Sequence, residues 1–189
     1  DTAKGAVALL TQNASEIKEI IGCEELARGE FIPFAALPTT AGTGSEATSV
    51  AVIADTEKQV KLEIISDQML PTVAVLDPRL TLGLPPRATA ATAIDALCHA
   101  VEAYSCRQKN PVSDAFAFAA VKAILSALPE VVKNPQNKAA RLELANASFM
   151  AGVAFSNSMV GAVHAIGHAV GAVCVMSRMA KRWRFCCPA

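Results

Sequence analysis

The hydrophobic pattern of this chain changes type at Pro85 and Pro86. Before these prolines, short β-type runs alternate with turn signals and predict strands over 32–37, 49–54, 60–65 and 73–76. After them, apolar residues recur at helical intervals and predict helices over 87–105, 113–128, 138–155 and 162–173. The sequence therefore predicts an α/β part over residues 1–84, followed by an all-α part over 85–174.

Local signals place the ends of several helices. The first residues fit a helix with Asp1 as its cap and Leu10 on its apolar face. Pro86 suits a first helical turn, whereas Pro111 and Pro129 are expected to separate helices. Prolines are thus predicted to punctuate the helical segments of the second part.

Charge and composition exclude several classes of protein. The 189 residues include 17 Lys+Arg and 17 Asp+Glu, so there is no basic excess for binding nucleic acid or a membrane surface. We find no long uninterrupted apolar segment and no signal-peptide pattern, which favours a cytoplasmic protein. The six cysteines lack CxxC spacing and are expected to be reduced.

Four potential metal ligands lie on two predicted helices. Asp95 and His99 in DALCH are four residues apart, as are His164 and His168 in HAIGH, so each pair shares one helix face. Facing helices with such side chains can build a divalent metal site, although hydrogen-bonded helix pairs without a metal have the same spacing. Ala165 replaces the glutamate of an HExxH protease motif. The apolar surroundings favour a shared partner for these polar groups.

A segment rich in glycine and hydroxyl residues, PTTAGTGSEAT over 38–48, follows a strand-like run. Its backbone amides and hydroxyls could approach a phosphate or ribose closely. The pattern matches neither GxGxxG nor a P-loop, and an ordinary glycine-containing loop explains it equally well. Lys61 is either a charge for the same ligand or an exposed strand lysine.

Six segments together resemble the iron-containing (group III) alcohol dehydrogenases over residues 1–174. They are DTAKGA, LPTTAGTGSEAT, AVLDPRLTLGLPP, ATAIDALCHAVEAY, NPVSDAFA and GAVHAIGHAVGAV. The resemblance implies a partial dehydroquinate synthase-like two-domain fold. In that fold, the active site lies between an α/β nucleotide-binding domain and a helical metal-binding domain.

The resemblance also assigns roles to individual residues. Asp95, His99 and His164 match three of the family's four metal ligands, and His168 matches a histidine that faces nicotinamide and substrate and is proposed to relay protons. The positions that match dinucleotide contacts are Thr39, Thr40, Thr43 and Lys61.

The activity implied by the resemblance is reversible hydride transfer between an alcohol or aldehyde and NAD or NADP. Ferrous iron is the family's metal, although the ligand set would also accept zinc, manganese or cobalt. The full-length protein is expected to form a homo-oligomer. The alternatives are a catalytically inactive metal-binding fragment and a dehydroquinate synthase-like lyase.

The segment over 175–189, VMSRMAKRWRFCCPA, differs from the rest of the chain. It holds the only tryptophan and four basic residues without an acid, and Arg178 stands where the family has the histidine of a PHG motif. A shifted reading frame with suitable degenerate codons would encode HVPHGEAMAILLP, so we interpret this tail as out of frame. The family's pyrophosphate loop would precede Asp1. As written, this internal fragment is expected to bind metal weakly and turn over little.

Overall fold

The structure is a computed structural model that describes residues 1–20, 32–55 and 60–174. Its helices and strands, in chain order, are α1 (Thr2–Gln12), β1 (Ala35–Ala36), β2 (Val50–Asp55), β3 (Val60–Ile65), β4 (Val73–Ala74), α2 (Pro86–Ser105), α3 (Pro111–Lys133), α4 (Lys138–Ser156) and α5 (Ala162–Cys174). The predicted order of a strand-containing part and a helical part is confirmed. The anomalous tail over 175–189 lies outside the described residues.

The strands form two separate pairs within the described ranges. β2 and β3 are antiparallel, with Val50 opposite Ile65, while β1 and β4 are parallel, with Ala35 opposite Val73. The predicted strands over 49–54 and 60–65 are confirmed almost residue for residue. The other two predicted runs pair over only two residues each. A strand extends only where a neighbouring strand offers backbone hydrogen-bonding groups, and β-type side chains do not by themselves provide such a neighbour.

Helix α1 buries a different face from the one predicted. Lys4 and Ala8 are buried, whereas Leu10 is 70% exposed. Asp1 occupies the cap position, but its side chain makes no capping bond and instead accepts a hydrogen bond from Ser45 Oγ at 2.6 Å. The predicted apolar face is therefore wrong, because contacts with the following segments orient the helix.

Prolines begin two of the long helices and interrupt neither. Pro86 and Pro111 occupy the first turns of α2 and α3. Backbone N–H groups in a first turn have no acceptor within the helix, so the N–H that proline lacks costs no hydrogen bond there. The expected break at Pro129 is wrong, since α3 continues to Lys133. The residue whose carbonyl loses its bond there is Leu125, which is exposed, so water can take the place of the missing donor.

Alanines form most of the helical core. Helices α2, α3 and α4 pack on one another through buried side chains that include Ala96, Ala100, Ala120 and Ala151. One methyl group per contact lets the helix axes approach closely. A second cluster of buried residues lies in the first part and includes Ile64. The domain boundary near residue 85 remains a prediction.

Helix α3 is long and apolar enough to cross a membrane, judged by length and composition alone, and no other helix of the described ranges is. Its inner face is buried against α2 and α4, with Ala117, Ile124 and Val131 in the core. We therefore interpret α3 as a core helix.

Candidate metal centre

Three of the predicted ligands meet where α2 and α5 face each other. One potential ligand atom from each of Asp95, His99 and His164 lies within 4.8 Å of the other two. Asp95 Oδ1 is 3.7 Å from His164 Nε2, and the rings of His99 and His164 stack with centroids 4.2 Å apart. The structure thus brings the Asp95–His99 pair of one predicted helix together with His164 of another, while their role as metal ligands stays a prediction.

His99 is a buried histidine with one unpaired ring nitrogen, as a potential metal ligand requires. Its ring is buried, stacks on Phe155 at 4.4 Å, and its Nδ1 has no hydrogen-bond partner among the described residues. Burial lowers the pKa of His99 to about 4, so the imidazole is neutral at pH 7 and keeps a free lone pair. A neutral imidazole beside a carboxylate and a second imidazole is a donor set that suits a divalent transition metal.

Opposite charges compensate for burial at the other two residues. Burial alone would raise the pKa of Asp95, but the His164 ring, whose Nε2 lies 3.7 Å from Oδ1, and the Lys61 ammonium lower it. Burial alone would likewise lower the pKa of His164, but Asp95 and Glu102 raise it. Asp95 is therefore an anion at neutral pH, and a bound cation would compete with the proton on His164.

Glu102 is a site residue that the sequence analysis missed. Its carboxylate is buried, with Oε2 in contact with His164 Nδ1 and Oε1 accepting the Val163 N–H at 2.7 Å. A sequence signal was available, because Glu102 follows Asp95 and His99 on the same face of α2. Glu102 is the third polar residue on this otherwise apolar helix face, and that position predicts a place in the same site.

His168 lies beside the three potential ligands. Its ring centroid is 6.0 Å from that of His164, and its Nδ1 is 2.9 Å from Glu63 Oε1 on β3. The side chain of His168 is 29% exposed, so it lies at the rim of the centre. Its role as a proton relay stays a prediction.

The segment 38–48 packs directly on the helical part. A Cβ built on Gly42 would lie 2.7 Å from Thr92 Cβ on α2, and one built on Gly44 would lie 2.7 Å from Gly152 Cα on α4. Gly44 also has a φ of +60°, which side-chain-bearing residues rarely adopt. Both glycines are thus required for the close approach, and the segment is held against the helices that flank the centre.

The predicted nucleotide contacts are distributed around this segment and β3. Thr39 and Thr43 are exposed and Thr40 is half-buried, and Thr43 Oγ1 accepts the Ser45 N–H at 3.3 Å. Lys61 extends from β3 to α5, where its Nζ is 3.6 Å from the position of a Cβ at Gly171. Its charge contributes to the lowered pKa of Asp95. The lysine therefore lies on the side of the strand pair that faces α5 and Asp95, and its role toward a ribose stays a prediction.

Two known family models match consecutive parts of the chain. The family model described as iron-containing alcohol dehydrogenase matches residues 1–78, and the model of the C-terminal part of the Fe-containing alcohol dehydrogenase family matches residues 89–178. The chain belongs to the iron-containing alcohol dehydrogenase family. The resemblance inferred from the six segments is thereby confirmed.

Relatives of this alcohol dehydrogenase family cover nearly all of the chain. It is 46% identical to the NAD-dependent methanol dehydrogenase of Bacillus methanolicus, over 92% of this chain and 45% of that protein. It is 42% identical to alcohol dehydrogenase 4 of Saccharomyces cerevisiae, over 90% and 44%. The crystal structure of a 1,3-propanediol oxidoreductase aligns with a TM-score of 0.84 and 41% identity, over 90% and 44%. The chain thus spans a little under half the length of these proteins.

Proposed function

We propose that the complete protein is a metal-dependent alcohol dehydrogenase that transfers a hydride reversibly between an alcohol or aldehyde and NAD or NADP. The convergence of Asp95, His99 and His164, three potential ligands from two helices within 4.8 Å, carries this proposal. Family membership supports it, because the relatives covered by this chain are named as alcohol dehydrogenases.

Each of the three residues offers a different electrostatic contribution to a cation. Asp95 supplies the negative charge, and His99 supplies a neutral donor that burial keeps unprotonated. His164 gives up a proton when it binds. A divalent ion held there would act as a Lewis acid toward the substrate oxygen, and we propose ferrous iron as that ion.

We propose that His168 holds and moves a proton near the substrate. Its Nδ1 faces Glu63, so a neutral ring that donates from Nδ1 would present the Nε2 lone pair on its other side. Partial exposure of the ring permits proton exchange with water.

The proposed nucleotide contacts are Thr39, Thr40, Thr43 and Lys61. Thr39 and Thr43 are exposed on a segment that packs against α2 and α4, and Lys61 provides a cation on β3. The name of the B. methanolicus relative supports NAD. We further propose a small-molecule alcohol or aldehyde as substrate, a cytoplasmic location and a homo-oligomeric full-length protein.

The metal part of the proposal is testable on this chain. We expect the purified protein to bind Co²⁺ and to develop visible d–d absorption bands on titration, whereas Asp95→Asn loses most of its affinity. Asp67→Asn, which changes an exposed aspartate, is the control and should bind as the wild type does. Equal binding by Asp95→Asn would refute this site.

The reaction is testable on the complete protein with the reading frame after residue 174 restored. We expect alcohol-dependent reduction of NAD or NADP that requires metal and falls strongly in Asp95→Asn. The candidate centre by itself would also support a second function, metal binding without turnover. Metal binding without any alcohol oxidation by the complete protein would favour that candidate and overturn the dehydrogenase proposal.

A further inference from the structure

The carboxylate of Glu102 joins two parts of the candidate metal centre. It lies on α2, is 6% exposed, and directs its two oxygens to different groups. Oε2 contacts the His164 ring at Nδ1, and Oε1 accepts the Val163 N–H at 2.7 Å. Both partners lie in the first turn of α5, so a single side chain of α2 holds the start of α5 and the orientation of His164.

Gly161 leaves room for this carboxylate. A Cβ built on Gly161 would lie 2.9 Å from Glu102 Oε1 and 3.4 Å from its Cδ. Gly161 has no positive φ, so its importance here is space rather than backbone conformation. Any side chain at this position would displace the carboxylate from Val163 and His164.

The geometry has a direct consequence for His164. Its Nδ1 faces Glu102, and its Nε2 lies 3.7 Å from Asp95 Oδ1, on the side of the candidate centre. When the ring is neutral, the Glu102 carboxylate in contact with Nδ1 can only accept, whereas Asp95 Oδ1 lies beyond hydrogen-bonding distance of Nε2. The proton therefore resides on Nδ1 and the lone pair on Nε2. The ring is then oriented and protonated in the form that a metal ligand requires.

We propose that Glu102 is a positioning residue for the metal centre: it fixes the orientation and tautomer of His164 through Nδ1 and anchors α5 through the Val163 N–H. The inference rests on the proposed metal site, to which it adds a residue outside the ligand set. An isosteric glutamine would not replace it. The amide oxygen of glutamine can accept a hydrogen bond from either His164 or the Val163 N–H. The NH₂ group, which is itself a donor, would then face the remaining N–H donor.

Two substitutions test this role independently. Glu102→Gln keeps the shape of the side chain but removes one acceptor, and Gly161→Ala keeps the carboxylate but displaces it. Glu143→Gln, at an exposed position of α4, and Gly83→Ala, where an added Cβ meets no atom within 4 Å, are the matched controls. All proteins would be compared as the full 189-residue chain.

The first measurement is Zn²⁺ affinity, determined by competition with a chromophoric chelator. We expect Glu102→Gln and Gly161→Ala to weaken binding by about 10- to 100-fold, the usual effect of removing the partner of a ligating histidine. Both controls should bind as the wild type does. Wild-type affinity in both test variants would overturn the inference.

The second measurement is the ¹⁵N shift pattern of His164 in the metal-free protein, at a pH where the ring is neutral. We expect the wild type to show protonated Nδ1 and unprotonated Nε2, and Glu102→Gln to lose that preference. A purely structural effect of the substitution would leave the tautomer unchanged. A wild-type ring protonated at Nε2 would overturn the inference even if the variants failed to fold.

The two measurements also separate this inference from the proposed function. If the wild type binds no divalent metal while Glu102 still sets the His164 tautomer, the proposed metal site fails and the positioning contact stands. If the wild type binds metal and neither measurement responds to Glu102→Gln or Gly161→Ala, the positioning role fails and the metal site stands.

Discussion

Gly44 and Gly152 bring the backbones of the two parts of the chain into contact. A Cβ on Gly152 would lie 2.8 Å from the Gly44 carbonyl oxygen and 3.1 Å from the Gly44 Cα. Because both neighbouring atoms belong to the backbone, a rotamer change cannot relieve the overlap. The contact therefore sets the distance between the threonine-containing segment and α4.

Gly152→Ala is expected to destabilise the protein by about 1–3 kcal/mol, the usual cost of overpacking a buried contact. Alanine normally favours a helix over glycine, so the expected sign is the reverse of the helix preference. Urea unfolding measures the change. Gly167→Ala on α5, where an added Cβ meets no atom within 4 Å, should be neutral or stabilising. A Gly152→Ala protein as stable as the wild type would contradict the close contact.

Lys4→Met is expected to lower the free energy of unfolding by about 1–3 kcal/mol. The buried Lys4 ammonium donates to Thr48 O at 2.6 Å, Thr48 Oγ1 at 3.0 Å and Val50 O at 2.9 Å. Methionine fills a similar volume but leaves these oxygens without that donor. Lys122→Met, at an exposed position of α3, is the control for loss of a charge and should have little effect in the same urea titration. A similar loss in both variants would assign the effect to charge instead.

The contribution of Lys4 to stability is expected to depend on pH. Burial lowers the pKa of Lys4 to about 8 from its ordinary value of 10.5, so the unfolded chain binds more protons than the folded chain between these values. Stability contributed by Lys4 must therefore rise with pH across this window. Urea unfolding of wild type and Lys4→Met at pH 7.5 and 10 would show the difference between them grow. A constant difference would contradict the lowered pKa.

Divalent metal is expected to stabilise the folded chain. A ligand that binds only the folded state at 100 times its dissociation constant adds about 2.7 kcal/mol. The gain should vanish on chelation, be absent from His99→Asn, and decrease at acidic pH as protons compete for the imidazoles. Thermal unfolding with and without Zn²⁺ measures each effect. An equal gain in His99→Asn would place the stabilising metal elsewhere.

Local patterns in the sequence were sufficient to locate most of the helices and strands and to identify the potential metal ligands. Four-residue spacing placed Asp95 and His99 on one face of α2, because helical periodicity is set by neighbouring residues. Alternating apolar residues located β2 and β3 for the same reason. Pro129 shows the limit of this reasoning, since packing of α3 against α2 and α4 outweighs the local cost of a proline inside a helix.

Contacts between distant residues required the folded structure. Lys4 meets Thr48 across 44 positions, and Glu102 meets His164 across 62. Neither pair leaves a periodic signal, because each depends on how separate elements pack. The residue types and spacings of the chain therefore indicate which chemistry it could support. Three-dimensional packing established that Asp95, His99 and His164 converge and that Glu102 contacts His164. The physical reason is that a buried polar group without a partner is costly, so the packed elements place such groups in contact.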